Sequence, residues 1–382
     1  MASEWPPLRE NSYYHVISAC PATNMEMNHP AHCAVFISER MCDLRRLLLA
    51  LFLCSTSAYG QVRQFQATVE PIAGENFASS CSFELSLPDP EKPVTAVWLT
   101  YDRGYDISRY YSDEEVVAFA AQHGFALLLA HQCPAKDPPT HERGEMDMDP
   151  SRGVARSIFA ALDNFAQQTK HPELSSSKLI VLGFSGIGAL FAHFVEYAPD
   201  RVLAAILTNS GQTDPYGMDR IDLSPKATAV PQLIIVGGAD EIGGTQRNFE
   251  YFEKYRKRGA PWVFLVQNGI PHCCVINTKA FVLNWLDEII KLRLAAPTNS
   301  LQKIDDRRGW VGFIRPCDTT KRDHWGDALW NVCVATVQTA TSATPSDTLP
   351  SGWFPTRNLA IEWQAYIQQK DHPVNSFPNR SN

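Results

Sequence analysis

With 382 residues, 45% of them hydrophobic and 20% charged, the chain can bury a substantial core, which excludes disorder as its overall state. A formal net charge of −7 gives no general pull toward polyanions, so nucleic-acid binding would need a local basic patch. The longest basic cluster, "KYRKRG" at 254–259, alternates with aromatic residues at helical spacing and reads as a solvated helix face, so no nucleic-acid partner is expected.

The first readable segment begins at Met41: "MCDLRRLLLALFLCSTSAYGQ" holds two arginines, an apolar run from Leu47 to Cys54, and small residues ending Ala58-Tyr59-Gly60. Charged, then apolar, then small-x-small is the order of a secretory signal peptide, and the apolar run is too short to span a bilayer. Cleavage after Gly60 would leave Gln61 first, and Met41 is an alternative start to Met1. A lipoprotein anchor at Cys54 fits less well, because Leu53 stands where a small residue is needed. The expectation is a secreted or periplasmic protein without a stable membrane anchor, with 1–60 (signal 41–60) set apart from the fold. Beyond residue 60 lie Cys81, Cys133, Cys273, Cys274, Cys317 and Cys333, an even number that favours disulfides in an exported chain. Cys317 with Cys333 is the preferred local pair, and a bridge from Cys273 or Cys274 to Cys133 is a further option. No Cys-x-x-Cys spacing points to zinc.

From 61 to 294 the sequence alternates two kinds of segment. Residues 69–90 read as one or two antiparallel edge strands, from the alternation in "CSFELSL". Then come "VTAVWLT" (94–100), "FALLLAH" (125–131), "KLIVLGF" (178–184), "RVLAAILT" (201–208), "PQLIIVGG" (231–238) and "PWVFLVQN" (261–268), each the length of a strand buried on both faces. Helical patterning occupies 113–123, 151–168, 187–198, 245–258 and 277–293. Such alternation predicts the α/β class with a mainly parallel sheet flanked by helices, and places ligands beyond the carboxyl ends of the strands. Residues 295–382 form a tryptophan-rich C-terminal extension. Its last helix, about 357–369, puts Leu359, Trp363 and Ile367 on one face, so the extension is expected to pack on the main domain.

On this strand map Ser185 lies just past 178–184, Asp240 just past 231–238 and His272 just past 261–268, so three loops gather at one sheet edge. A serine hydroxyl is a poor nucleophile at neutral pH. It needs an imidazole to take its proton and a carboxylate to orient that imidazole. Gly183, Gly186 and Gly188 suit a sharp strand-to-helix turn around Ser185, although Ile187 stands where the Gly-x-Ser-x-Gly pattern has its last glycine. The segment "THERGEMDMDP" (140–150) fits no EF-hand spacing and reads as a solvated loop, so no metal is expected there. His131 reads as a core or rim histidine.

On "GFSGIG", "VGGADEI" and "NGIPHCC", residues from about 75 to 294 resemble the α/β-hydrolase superfamily, and the export signal, Tyr101 and the many tryptophans make the chain look similar to its secreted serine esterases. The resemblance implies Ser185 as nucleophile, Asp240 as acid and His272 as base. It also implies an oxyanion hole made by the backbone N–H of Gly186 and of Tyr101, and no cofactor. The substrate implied is a small-molecule or polymer-linked carboxylic ester. Each residue has a plainer reading: a helix-capping turn for Ser185, an N-cap for Asp240 with Glu241 as the acid, a loop histidine for His272, a rim aromatic for Tyr101. A serine peptidase of the same fold, or a non-catalytic carbohydrate- or envelope-binding protein on this scaffold, are the alternative functions.

Overall fold

The computed structural model describes residues 62–102, 107–131, 133–138, 146–210, 221–294, 300–317, 319–342, 352–370 and 372–374, all within the unit Ala58–Asn382. The segment 41–60, expected to be a signal peptide, lies outside them, as does most of the acidic stretch at 140–150. The strands are β1 (Arg63–Val69), β2 (Cys81–Leu87), β3 (Ala96–Tyr101), β4 (Phe125–Ala130), β5 (Lys178–Phe184), β6 (Val202–Thr208), β7 (Gln232–Gly237), β8 (Val263–Gln267), β9 (Trp310–Cys317), β10 (Asn331–Thr339) and β11 (Gly352–Phe354). They form one sheet in the order β1-β2-β4-β3-β5-β6-β7-β8-β11-β9-β10.

The expectation of a mainly parallel sheet is corrected to a mixed one. The six strands from β4 to β8 in that order run parallel, whereas β1 and β2 on one flank and β11, β9 and β10 on the other pair antiparallel. The reason lies in burial. β3, β6, β7 and β8 are buried at every residue, as strands covered on both faces must be, while β2 alternates buried and partly exposed positions and β1 is largely exposed.

Covering the parallel strands are α1 (Glu114–His123), α2 (Val154–Thr169), α3 (Gly186–Tyr197), α4 (Gln246–Arg256) and α5 (Lys279–Arg293). Local chemistry sets the ends of α1: Asp113 accepts from Glu115 N at 3.1 Å and Val116 N at 3.4 Å, and Gly124 closes the helix at φ 67°. In α2 the residues Val154, Ile158, Ala161, Leu162 and Phe165 are buried on one face.

Past residue 300 the chain extends the sheet. β9 and β10 form an antiparallel ribbon, and β11 joins it to β8 through Gly352, which lies opposite both Gly312 and Val263. A final helix, α6 (Arg357–Ile367), buries Leu359, Ala360, Trp363 and Ile367. Trp363 Nε1 donates to Phe264 O of β8 at 2.8 Å, and a Cβ at Gly312 would stand 2.4 Å from the Trp363 ring, so glycine there makes room for the indole. Asn268, after β8, ties the same region down: Nδ2 donates to Ile367 O at 2.9 Å and Oδ1 accepts from Val332 N at 2.8 Å.

Among the described residues three disulfides occur: Cys81–Cys133, Cys273–Cys274 and Cys317–Cys333. Cys317–Cys333 links β9 to β10. The bridge from Cys133 to Cys273 or Cys274 is overturned by strand register. Phe83 lies opposite Ala130, so Cys81 and Cys133 meet across the ends of β2 and β4, whereas Cys273 and Cys274 follow β8 on the other side of the sheet.

Candidate active site

Ser185 sits where β5 turns into α3, at φ 55° and ψ −127°, a conformation that costs a non-glycine residue of order 1–3 kcal/mol. Close packing around the turn imposes it. A Cβ at Gly183 would lie 2.6 Å from Gly188 N, and one at Gly188 would lie 2.3 Å from Ser210 Cβ. Ile187 is buried in the core, so its side chain has a place without the glycine of the strict pattern. Ser185 N–H donates to Thr208 O at 2.9 Å, and its side chain makes no helix-capping bond.

The loop after β7 carries Asp240, which is fully buried. Its Oδ1 accepts from Ile242 N at 3.0 Å and Gly243 N at 2.8 Å, and its Oδ2 from Asn209 Nδ2 at 2.8 Å. Asp240 does not cap α4, whose N-cap position is Thr245. Glu241 is exposed, with its carboxylate 3.8 Å from His324 Nε2.

His272 arrives on the loop after β8. Its Nδ1 lies 2.9 Å from Asp240 Oδ1 and 3.0 Å from Oδ2, and its Nε2 lies 3.0 Å from Ser185 Oγ. An ionised carboxylate only accepts, so these partners assign the proton to Nδ1 and leave Nε2 to accept from the serine hydroxyl. The Phe184 ring, 4.8 Å from the imidazole centroid to centroid, packs against it. The acid and base loops are pressed together: Ala239 N donates to Ile270 O at 3.0 Å, and a Cβ at Gly237 would stand 2.2 Å from that same carbonyl oxygen.

Two supports of the acid loop were not anticipated from sequence. Asn209, at φ 50° just past β6, holds the Asp240 carboxylate. Its signal was its place beyond a strand at the same sheet edge as Ser185. From outside, the β9–β10 connection braces the loop: Trp325 Nε1 donates to Ile242 O at 3.2 Å, while Arg247 pairs with Asp327 at 2.6 Å and Asp323 at 3.5 Å.

Tyr101 ends β3 with its side chain fully buried against Phe191, ring centroids 6.1 Å apart, so it is not a rim aromatic. Burial raises the pKa of its phenol. Asp102 N–H donates to Ala130 O of β4 at 2.8 Å, so alternation along the strand turns the Tyr101 N–H toward β5. Pairing of β3 with β5 stops at Leu99 and Val181, short of that residue. Gly186 is the first residue of α3, and its N–H belongs to the first turn, where helices leave donors unsatisfied.

His131 is half-buried between Glu84, 3.0 Å from Nε2, and Asp102, 3.6 Å from Nδ1. Asp147, the end of the acidic stretch that is described, is buried and serves structure: it accepts from Asn76 Nδ2 and Asp149 N and pairs with Arg152 at 3.1 Å. Among the described residues no group of three or more His, Cys, Asp or Glu is arranged to hold a metal ion, and no helix is long and apolar enough to cross a membrane.

No protein-family profile matches the chain, and no curated protein does. Among solved structures it is similar to FphF, a fluorophosphonate-binding serine hydrolase of Staphylococcus aureus, at 13% identity and TM-score 0.41, covering 59% of this chain and 99% of that one. S-formylglutathione hydrolase FrmB of Staphylococcus aureus matches at 14% identity and TM-score 0.42, with 59% and 99% covered. Est1E of Butyrivibrio proteoclasticus matches at 14% identity and TM-score 0.37, with 59% and 98% covered. At these values the likeness assigns no role to any residue of this chain.

Proposed function

We propose that the protein is a serine hydrolase of the α/β-hydrolase class that cleaves carboxylic esters through an acyl-enzyme. The observation that carries this reading is the unbroken line of contacts from Ser185 Oγ through His272 to the buried Asp240, with 3.0 Å on the serine side and 2.9 Å on the carboxylate side. Ser185 Oγ attacks the ester carbonyl carbon while Nε2 of His272 takes the hydroxyl proton, and Asp240 stabilises the imidazolium. The negative charge on the former carbonyl oxygen is received by the N–H groups of Gly186 and Tyr101. Collapse of this intermediate breaks the bond to the alcohol, which leaves with the proton from Nε2. Water, deprotonated by the same nitrogen, then releases the acid and restores Ser185. These steps use only side chains and backbone of the chain, and the substrate is a small-molecule or polymer-linked ester. Three disulfides and the sequence at 41–60 support export to an oxidising compartment, secreted or periplasmic.

A fluorophosphonate probe tests the nucleophile directly. The expected product carries one phosphonyl group on Ser185 Oγ with fluoride lost, located by peptide mass spectrometry. A protein left unlabelled under conditions that label a control serine esterase would return the chain to the non-catalytic binding reading. Hydrolysis of p-nitrophenyl esters of graded acyl length then sizes the acyl pocket.

The disulfide beside the base offers a second measurement. Cys274 holds φ 68°, which costs a non-glycine residue roughly 1–2 kcal/mol, and Cys273 N–H folds back on Pro271 O at 2.7 Å. A bond between these adjacent residues therefore helps fix the turn that aims His272. The double variant Cys273→Ser/Cys274→Ser is expected to lower kcat/KM on p-nitrophenyl acetate by on the order of 10²-fold, the cost of displacing a catalytic group by about 1 Å. Glycine at 274 in place of serine should recover part of the loss, because it adopts positive φ freely. Activity within twofold of wild type in the double variant would show that the base needs no such support.

A further inference from the structure

At the far end of β5 from Ser185, about 23 Å along the strand at roughly 3.3 Å per residue, the surface opens into a cleft of 660 Å³. Four cations line it, Lys178, Lys226, Arg293 and Lys303, against one carboxylate, Asp200. That is a local excess of positive charge on a chain whose formal net charge is −7. Asp200 does not neutralise the group. Its carboxylate is exposed and pairs with Lys226 at 2.9 Å, while Lys178 Nζ reaches only its backbone oxygen, at 3.0 Å.

Arg293 is the unusual member. It is 5% exposed, ends α5, and donates from Nη1 to Gln302 O at 2.8 Å and from Nη2 to Val202 O at 3.4 Å, while its buried Nε has no partner among the described residues. No carboxylate forms an ion pair with it among the described residues, and burial pushes its pKa down to about 10. Lys178 feels the same crowding: burial first, then Arg201 and Arg293, hold its pKa below the usual lysine range. A buried guanidinium that no carboxylate pairs among the described residues, with the charge of Lys178 felt nearby, is costly to the fold. A bound anion would supply the missing counter-charge and offset that cost. The neighbouring cleft of 310 Å³ shares Pro225, Ala229 and Lys303 with the first and adds the hydroxyl of Thr228, buried and without a hydrogen-bond partner.

We propose that this cleft is a binding site for a phosphate-bearing anion, held by Lys178, Lys226 and Lys303 over the positive field of Arg293. Its volume leaves room beside the phosphate for a further group on the ligand. The lysine ammonium groups act as point charges on phosphate oxygens, and the unpartnered Thr228 hydroxyl lies within the adjoining cleft for the remainder of the ligand.

Thermal unfolding with inorganic phosphate and pyrophosphate as probes, at ionic strength held constant with sodium chloride, tests the site. Wild type is expected to show a saturable rise of a few degrees in Tm, larger for pyrophosphate, as binding to the folded state requires. Phosphate also stabilises proteins by exclusion from their surface, an effect that does not saturate and does not depend on these residues. Lys226→Ala/Lys303→Ala removes two exposed side chains, so the double variant should fold, keep the ester hydrolysis of wild type, and lose the saturable rise. Absence of a saturable rise in wild type, or an equal rise in the double variant, would overturn the proposal.

Discussion

Alanine at position 185 is expected to abolish turnover, with a loss of order 10⁶ in kcat, the scale seen when a triad serine is removed. The argument is local. Ser185 Oγ is the atom that meets Nε2 of His272, at 3.0 Å. The fold should survive the change. The serine side chain makes no capping bond, alanine keeps the same Cβ, and the strain at φ 55° is common to both residues. Tm and circular dichroism are therefore expected to match wild type while p-nitrophenyl ester hydrolysis disappears. Esterase activity at the wild-type level in the purified variant would dismiss Ser185 as nucleophile, whatever its place in the turn.

That Ser185, Asp240 and His272 could be brought together from sequence follows from the kind of strand that carries them. β5, β7 and β8 are covered on both faces, so their sequences are continuous apolar runs, and a polar residue just past such a run stands out. Parallel direction then sends all three loops to one edge. β9 and β10 lacked that signal. Their residues are mostly partly or fully exposed, in irregular alternation, and the pairing of β10 is broken by a bulge between Val332 and Val334, so "NVCVATVQT" reads no differently from a loop. Asn209 was hidden for another reason. Its partner is 31 residues away, and only the adjacency of β6 and β7 in the sheet brings its amide to Asp240. Ile187 shows the converse, a departure from a motif that the packing accommodates: the glycine pressed against Ser210 is Gly188, one residue later.

The second large effect belongs to the acid. Asp240→Asn should lower kcat by on the order of 10⁴, whereas Glu241→Gln should change it less than about twofold. Among the described residues four donors meet the Asp240 carboxylate: the N–H groups of Ile242 and Gly243, the amide of Asn209, and Nδ1–H of His272. An ionised carboxylate can accept from all four. A carboxamide has one oxygen, and its NH₂ must face one of these donors. The imidazole escapes that clash by moving its proton to Nε2, and in that tautomer it cannot take the proton of Ser185. The orphaned donors also cost the fold, about 1–3 kcal/mol for a buried unsatisfied group, so kcat must be referred to the folded fraction measured by urea titration. Glu241 stands in water, 3.8 Å from His324, with nothing comparable to lose. If Glu241→Gln proved the more damaging, the imidazole would be drawing its charge from the exposed carboxylate, and the buried one, with its four donors, would be a structural clasp between the β6, β7 and β8 loops.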